Sequence, residues 1–275
     1  MSTVSLNFYS AALNFRTEVQ VALPEYPRQR DASCPCGEAF DPNVKFPVVY
    51  LLHGFTGDYT DWTTMMPLER YAGKYGFAVV MPHGMNTWYL NVPHGPNMQD
   101  FIAKELPAAM EALLPVSADP KQRFIAGLSM GGGGTLRTAY RYPEKYRAAA
   151  AMSALVDPLP LVEYDGALNE ADARIRDSLL YCFGGREGMA SEENSVMKLA
   201  LKQKKAGIPL PPVLFQMGKQ DTLYPTQYPA FRRFAEENGL PVTFAEKDGA
   251  HDFDYWEPTI QESLAWFRAI LDKDK

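Results

Sequence analysis

Short, continuous apolar runs recur along the chain, and stretches with apolar residues at helical spacing lie between them. Runs of this kind are typical of strands that a parallel sheet buries on both faces. They predict six strands, at residues 46–52, 77–81, 123–126, 148–152, 213–217 and 242–245. The helices between them are predicted at residues 65–75, 98–114, 130–142, 192–206, 226–238 and 259–271. This alternation indicates right-handed crossovers, so we expect an α/β protein with a mostly parallel central sheet and helices on both faces.

Three stretches depart from the alternation. Residues 4–9 and 15–21 predict two short strands paired as an antiparallel edge, and the proline-rich residues 24–45 predict a long loop. Residues 154–190 carry prolines and acidic residues without clear periodicity. They follow a strand, so they lie above the carboxyl ends of the sheet, where open α/β sheets bind ligands. We expect one catalytic domain over residues 1–275, with a small cap or pocket wall at 154–190; an irregular surface excursion is the alternative.

The most informative motif is Gly-Leu-Ser-Met-Gly at residues 127–131, between a predicted strand and a predicted helix. G-x-S-x-G in this context is the nucleophile elbow of the α/β-hydrolase fold. Its turn is sharp and strained, and the flanking glycines keep Cβ atoms out of it. Ser129 is therefore the candidate nucleophile. A glycine-rich turn of this kind can also hold a phosphate at a helix N-terminus, so the motif needs partners before it decides the chemistry.

A nucleophilic serine needs a histidine base and an acid, which follow it in the order acid, then histidine, in this fold. Of the four histidines, only His251 lies after Ser129, in a loop between the last predicted strand and the last predicted helix. Asp221 follows the strand at 213–217 across a glycine turn and is the expected acid. Asp157, which follows the strand at 148–152, is its rival.

Acyl transfer also needs N–H donors aimed at the oxyanion. We expect one at Met130, directly after the nucleophile, and the other at Phe55, in the glycine-containing loop after the strand at 46–52. Aromatic residues in or beside the loops of the predicted catalytic mouth are expected to contact substrate, with core packing as the alternative for each. They are Trp62, Trp88, Tyr89, Tyr224 and Trp256.

Charge and composition limit the kinds of partner, cellular location and cofactor that we expect for this protein. A net charge of −6 disfavours nucleic acid or an anionic membrane as the main partner. No stretch resembles a signal peptide or reaches the length of a membrane span, and three cysteines make no disulfide framework, so we expect a cytoplasmic protein. Cys34 and Cys36 fall short of the four ligands of a structural zinc site, so neither a metal nor a cofactor is expected.

Four stretches together resemble a known family. They are residues 51–57 with Asp61 and Trp62, then residues 127–132, 218–224 and 249–256. In this order they are similar to the esterase D and tributyrin-esterase-like α/β-hydrolases, which include S-formylglutathione hydrolases and small carbohydrate or cinnamoyl esterases. The resemblance runs from about residue 46 to the C-terminus. It implies Ser129, Asp221 and His251 as the triad, with Phe55 and Met130 as oxyanion donors. Residues 82–89 and the loop at 34–36 depart from the family's pattern, which leaves the substrate open.

These residues predict a serine carboxylesterase that acts on short acyl esters, acetyl to butyryl, of small alcohols, sugars or phenols. An S-formylglutathione hydrolase and an acyltransferase would use the same triad and remain alternatives. A binding module with a degenerate hydrolase fold is disfavoured by the intact serine, acid and histidine. The sequence leaves a homo-oligomer open.

Overall fold

A single eight-stranded sheet organises the protein, for which the computed structural model describes residues 2–27, 29–35 and 38–273. The strand order is β1-β2-β4-β3-β5-β6-β7-β8. Strands β3 to β8 run parallel, while β1 and β2 form the expected antiparallel edge. The strands are β1 (Ser2–Ser10), β2 (Phe15–Leu23), β3 (Val48–Leu52), β4 (Ala78–Pro82), β5 (Arg123–Leu128), β6 (Ala148–Met152), β7 (Val213–Gly218) and β8 (Val242–Lys247). The predicted α/β class and all eight predicted strands are confirmed.

Helices cover both faces of this sheet. They are α1 (Asp61–Thr64), α2 (Leu68–Tyr75), α3 (Met98–Asp100), α4 (Leu106–Leu113), α5 (Met130–Arg141), α6 (Leu159–Val162), α7 (Glu170–Phe183), α8 (Gly185–Met189), α9 (Val196–Lys205), α10 (Tyr224–Glu237) and α11 (Phe253–Asp272). Every residue of β3 is buried, and alternate residues enter different cores: Val48 and Leu52 pack on one face, Val49 and Leu51 on the other. This explains why the strands are continuous apolar runs.

Two helices differ from their predicted bounds. The helix expected at 65–75 begins only at Leu68, as α2, and the separate short helix α1 ends before it at Thr64. Pro67 directly precedes α2, and a residue before proline is disfavoured in helical conformation. Helix α11 begins at Phe253 rather than at 259. Asp252 caps it by accepting the Tyr255 N–H at 3.1 Å, and Pro258 is tolerated inside the helix.

The helix expected at 98–114 has a π-helical turn in its middle. Helix α3 leads into π-helical residues Phe101–Glu105, which lead into α4. Pro107 has no N–H, so it cannot donate to the Ala103 carbonyl as a helical residue would; that carbonyl accepts from Lys145 Nζ at 2.9 Å instead. Glu105 also receives the N–H of Ala11 at 2.8 Å and that of Ala12 at 3.0 Å, so this turn fastens the β1–β2 hairpin.

The excursion at 154–190 is more regular than its sequence pattern indicated. It contains α6, α7 and α8, and α7 alone is 14 residues long. Asn169 caps α7 by accepting the Asp172 N–H at 2.8 Å, and Gly184 ends it at φ 72°. The excursion follows β6, so it stands over the carboxyl edge of the sheet.

Candidate active site

The candidate nucleophile occupies a strained turn between β5 and α5. Ser129 has φ 53° and ψ −115°, a conformation that side chains other than glycine rarely adopt. Its neighbours are glycines because the backbone is crowded: a Cβ at Gly127 would lie 2.5 Å from the Gly131 carbonyl oxygen, and a Cβ at Gly131 would lie 2.2 Å from that of Leu52. The G-x-S-x-G spacing is therefore set by packing, and it holds the Ser129 side chain out at the carboxyl edge of the sheet.

Three side chains that are far apart in the sequence form one hydrogen-bonded chain. His251 Nε2 lies 2.9 Å from Ser129 Oγ, and His251 Nδ1 lies 2.8 Å from Asp221 Oδ2. A carboxylate only accepts hydrogen bonds, so this geometry assigns the imidazole proton to Nδ1 and leaves Nε2 to accept from the serine hydroxyl. Asp221 is 2% exposed, whereas about a quarter of the His251 side chain, 26%, faces solvent.

Two adjacent loops hold the acid and the histidine in fixed positions relative to each other. β7 and β8 pair in parallel, and Asp221 and His251 come shortly after their ends. Gln220 fastens the two loops: its N–H donates to the Gly249 carbonyl at 3.0 Å, and its Oε1 accepts the Gly249 N–H at 2.7 Å. The two residues are therefore placed by one stretch of sheet rather than by flexible loops.

The environment of Asp221 favours its ionised form. Burial by itself raises the pKa of this carboxyl. The hydrogen bond and charge of His251 outweigh burial, together with hydrogen bonds from Ser153 and the Leu223 N–H, and hold the pKa below its ordinary value. A carboxylate that stays charged beside Nδ1 can stabilise an imidazolium.

The rival acid, Asp157, lies in a different network. Its Oδ1 accepts the Leu159 N–H at 3.0 Å at the start of α6, and its own N–H donates to Gln227 Oε1 at 2.9 Å. Its carboxylate therefore accepts from the backbone in the turn before α6, and the carboxylate at His251 is that of Asp221.

The two expected oxyanion donors come after different strands, Phe55 after β3 and Met130 after β5. Met130 opens α5, so its N–H has no acceptor within the helix. Phe55 follows β3 in a turn closed by the Gly57 N–H, which donates to the Gly54 carbonyl at 3.3 Å. The next N–H, that of Thr56, is taken by Asn86 Oδ1 at 2.7 Å, which ties this loop to the loop after β4.

His53 fixes the base of the Phe55 loop. The ring is fully buried, with Nδ1–H donating to the Gly54 carbonyl at 2.7 Å and Nε2 accepting the Gly84 N–H at 2.9 Å. Burial lowers the pKa of His53 to about 4, so the ring stays neutral. His53 therefore stabilises the turn after β3 by linking it to the Gly84 backbone.

A cavity of about 440 Å³ opens at Ser129 and His251. Its walls come mainly from the excursion after β6, with one aromatic pair at its side: the rings of Phe55 and Trp88 stack with centroids 5.3 Å apart. The lining residues outside the triad are Phe55, Trp88, Leu155, Leu161, Tyr164, Ala167, Leu168, Asp172, Ile175, Arg176, Thr222 and Leu223. The nucleophile therefore faces a largely apolar chamber with one acid and one base on α7.

Comparison with known proteins agrees with this geometry. The family model described as "Putative esterase" matches residues 10–267. The chain belongs to this esterase family. It is similar to the acetyl esterase of Caldicellulosiruptor saccharolyticus, with 25% identity over 99% of this chain and all of that one.

Two solved structures from Staphylococcus aureus resemble the whole chain. The fluorophosphonate-binding serine hydrolase F is 26% identical and superposes with a TM-score of 0.82, covering 97% of this chain and 98% of that one. The S-formylglutathione hydrolase is also 26% identical, with a TM-score of 0.79 and the same coverage. The protein thus has the α/β-hydrolase fold, and it is a serine carboxylic ester hydrolase.

Among the five aromatic residues predicted to contact substrate in this esterase, Trp88 lines the cavity. Its indole Nε1 donates to Ser178 Oγ on α7 at 3.0 Å, which fixes the ring against the cap. The other four are corrected because each is committed elsewhere. Trp62 of α1 is fully buried in the core, and Tyr89 is fully buried with its hydroxyl donating to the His53 carbonyl at 3.1 Å.

The remaining two aromatics lie behind or outside the cavity. Tyr224 stacks on Tyr228 of α10, with ring centroids 5.0 Å apart, and its hydroxyl donates to Glu246. Trp256 is buried beside His251, with its Nε1 donating to Ser153 Oγ at 3.0 Å. Both are next to the catalytic loops in the sequence, which is why position along the chain favoured them.

Sequence reasoning missed most of the apolar wall. Leu161, Leu168 and Ile175 line the cavity from a stretch whose periodicity was unclear. The capping signals at Asn169 and Gly184 were the available clue to α7.

Among the described residues, no cluster of histidine, cysteine and acidic side chains could hold a metal ion, and no helix is long and apolar enough to cross a membrane. Cys36 lies outside the described residues, so the Cys34–Cys36 loop stays an expectation.

Proposed function

We propose that this esterase hydrolyses short-chain acyl esters, acetyl to butyryl, through an acyl-enzyme on Ser129. The observation that carries the proposal is the hydrogen-bonded series Ser129 Oγ, His251 and Asp221, with distances of 2.9 and 2.8 Å, in which Ser129 and His251 line the cavity. A serine alone is a weak nucleophile at neutral pH, and a histidine within hydrogen-bond reach activates it.

The acylation step follows from this geometry. Ser129 Oγ attacks the ester carbonyl while its proton passes to His251 Nε2. The carbonyl oxygen becomes an oxyanion, which the N–H groups of Phe55 and Met130 stabilise. His251 then returns the proton to the alcohol oxygen as the C–O bond breaks, and the alcohol leaves.

Deacylation repeats the sequence with water. Nε2 of His251 accepts a proton from water as its oxygen attacks the acyl-enzyme, and the proton returns to Ser129 Oγ when the acid leaves. Asp221 stays ionised throughout; it fixes the imidazole tautomer and stabilises the imidazolium in both halves.

The cavity supports a short acyl chain. Residues 154–190, which we propose as its cap, close it with Leu161, Leu168 and Ile175, and about 440 Å³ must hold both the acyl group and part of the alcohol. Sugars and phenols are the alcohols we propose, because the stacked Phe55 and Trp88 rings offer a flat apolar face at the opening.

An acyl-length series tests this assignment. Each methylene buried in a fitting pocket gains about 0.8 kcal/mol, so kcat/KM for p-nitrophenyl esters should rise from acetyl to butyryl. Beyond the end of the pocket the gain should reverse by about eight carbons, because further methylenes clash or stay in water. A maximum at about twelve carbons or more would refute the short-acyl assignment and leave the triad untouched.

Hydrolysis of S-formylglutathione is the second candidate. It is favoured by the similarity to the staphylococcal S-formylglutathione hydrolase and by Arg176 at the cavity, which could meet a substrate carboxylate. Asp172 lines the same cavity, and Asp177 Oδ1 lies 3.4 Å from Arg176 Nε. Because these two acids balance the charge of Arg176, we prefer the ester assignment. A kcat/KM for S-formylglutathione about 100-fold above that for p-nitrophenyl acetate would reverse this preference.

Location and partners complete the proposal. A cytoplasmic location is the one we propose, because the three cysteines are too few for a disulfide framework. The partner we propose is a small-molecule ester, with no cofactor, nucleic acid or membrane. Acyl transfer to a second alcohol would use the same acyl-enzyme and is distinguished by product analysis with an added alcohol.

A further inference from the structure

Behind the catalytic series lies a buried pair that the mechanism above does not use. Ser153 follows β6 directly and is fully buried, with φ 47°. Trp256 lies in the first turns of α11 and is 6% exposed. Their side chains meet, because the indole Nε1–H of Trp256 donates to Ser153 Oγ at 3.0 Å.

The direction of each hydrogen bond in this network follows from the donors available. An indole N–H can only donate, so Trp256 occupies a lone pair of the Ser153 hydroxyl. Burial raises the pKa of Asp221, and the Ser153 side chain acts with His251 to lower it. Trp256 leaves the hydroxyl proton of Ser153 free to act on this carboxylate, which can only accept. Asp221 also receives His251 Nδ1–H on Oδ2 and the Leu223 N–H on Oδ1.

Trp256 also touches the histidine directly. The two rings meet edge to face, with centroids 5.0 Å apart and an interplanar angle of 84°. Phe253 packs against the other side of the indole at 5.0 Å, so the indole is held between α11 and the imidazole. One buried side chain thus packs on the base and, through Ser153, reaches the acid.

The backbone supports Ser153 in an unfavourable conformation. A positive φ costs free energy for a residue other than glycine, and such strain persists only where surrounding contacts impose it. The Ser153 N–H donates to the Gln216 carbonyl of β7 at 2.8 Å, which holds the residue at the end of the sheet beside Asp221.

We propose that Ser153 and Trp256 are positioning residues for the hydrolysis reaction: Trp256 orients the Ser153 hydroxyl, and that hydroxyl holds Asp221 in place and disperses its charge. This rests on the proposed function of Ser129, His251 and Asp221. Without the hydroxyl, more of the negative charge of Asp221 acts on His251. This stabilises the protonated imidazole, so as the pH falls the neutral form that acts as the base is lost at a higher pH than in wild type.

The charged and titratable groups that face this network come from several elements. His251 lies on the loop before α11, and Tyr255 lies on α11 with its pKa raised by burial. Asp172 and Arg176 of α7 line the cavity on the far side of His251. None of them is changed by the substitutions below.

The test is the pH profile of kcat/KM for p-nitrophenyl acetate in Ser153→Ala. We expect kcat to fall about 10-fold, KM to stay within about twofold, and the acid limb to move to higher pH by about half a unit or more. Ser263→Ala is the matched control: Ser263 is equally buried, and its hydroxyl donates to the side chain of Gln216 at 2.7 Å rather than to Asp221, so its acid limb should not move. An unshifted acid limb in Ser153→Ala, whatever its kcat, overturns the proposal.

Trp256→Phe tests the link between the two residues, because it keeps an aromatic ring against His251 and removes the N–H. The acid limb should move in the same direction by a smaller amount, and Trp256→Phe should add nothing in the Ser153→Ala background. Fully additive effects would show that Trp256 does not act through Ser153. If Ser153→Ala fails to fold, Ser153→Gly carries the same test, since glycine accepts the positive φ.

The failure of this proposal can be told apart from failure of the proposed function. Wild-type enzyme and Ser129→Ala are assayed first. Loss of activity in Ser129→Ala establishes the nucleophile, after which the profiles of the Ser153 variants are compared only with that of the active wild type.

Discussion

At the scale of single residues, the role of each side chain in the site is determined by its hydrogen-bond partners. The Asp221 carboxylate accepts the Leu223 N–H on Oδ1 and faces His251 Nδ1 with Oδ2, so His251 must carry its proton on Nδ1. Asp157 has the same side chain and the same position after a strand, but backbone N–H groups determine its surroundings. The comparison of these two residues tests whether geometry, rather than residue type, assigns the acid.

Asp221→Asn should lower kcat by about 10⁴, because an amide cannot stabilise the imidazolium and favours the wrong tautomer. Asp157→Asn should change kcat less than about threefold, since its role is at the start of α6. Both are measured with p-nitrophenyl acetate at saturation. A larger loss in Asp157→Asn than in Asp221→Asn would move the acid role to the end of β6.

His53 gives a prediction for stability against pH. Its folded-state pKa of about 4 lies below the ordinary value of 6.5. Between these two pH values the ring is protonated in the unfolded chain but neutral in the folded protein. The stability that the neutral ring contributes is complete above about pH 6.5 and falls as the pH drops toward 4. This group alone should lower the free energy of unfolding by about 2 kcal/mol between pH 7 and pH 5.

Urea unfolding at the two pH values measures this change. His94 is exposed, so His94→Gln should show the same pH dependence as wild type, whereas His53→Gln should lose most of it. Equal pH dependence in wild type and His53→Gln would contradict the assignment of His53 as a buried neutral ring.

At the scale of elements, the strands were predictable because burial on both faces makes each one a continuous apolar run. The boundaries of the helices were harder to predict. Pro67 directly precedes α2, whereas Pro258 lies inside α11, and the apolar pattern of the sequence did not separate these two outcomes. Helix α7 was missed because its buried residues, Leu179, Cys182 and Phe183, all lie near its C-terminal end, so its first turns show no apolar period.

The same helix should set the acyl length. Ile175 of α7 lines the cavity, and Ile175→Ala removes three carbons from its wall. We expect the optimum of the p-nitrophenyl series to move by about one or two carbons toward longer chains, with kcat/KM for the hexanoyl ester raised several-fold. Ile208→Ala, the same change at an exposed residue outside the cavity, should leave the series unaltered. An identical optimum in Ile175→Ala and wild type would show that α7 does not limit the acyl chain.

At the scale of the whole molecule, the carboxyl edge of the parallel sheet gathers residues from distant parts of the sequence. Ser129 follows β5, Asp221 follows β7 and His251 follows β8, and the order of strands in the sheet places these ends side by side. Motif and chain order alone identified the three residues. The aromatic contacts could not be identified in that way, because a residue beside a catalytic loop in sequence, such as Trp256, can turn its side chain into the core instead of the cavity.

The most direct test of the account is hydrolysis of p-nitrophenyl acetate by Ser129→Ala. Alanine fills the elbow but offers no nucleophile, so kcat should fall by about 10⁴ to 10⁶ while circular dichroism and the unfolding midpoint stay close to wild type. Activity within tenfold of wild type, in a preparation shown to be free of wild-type enzyme, would contradict the claim that Ser129 carries the acyl group.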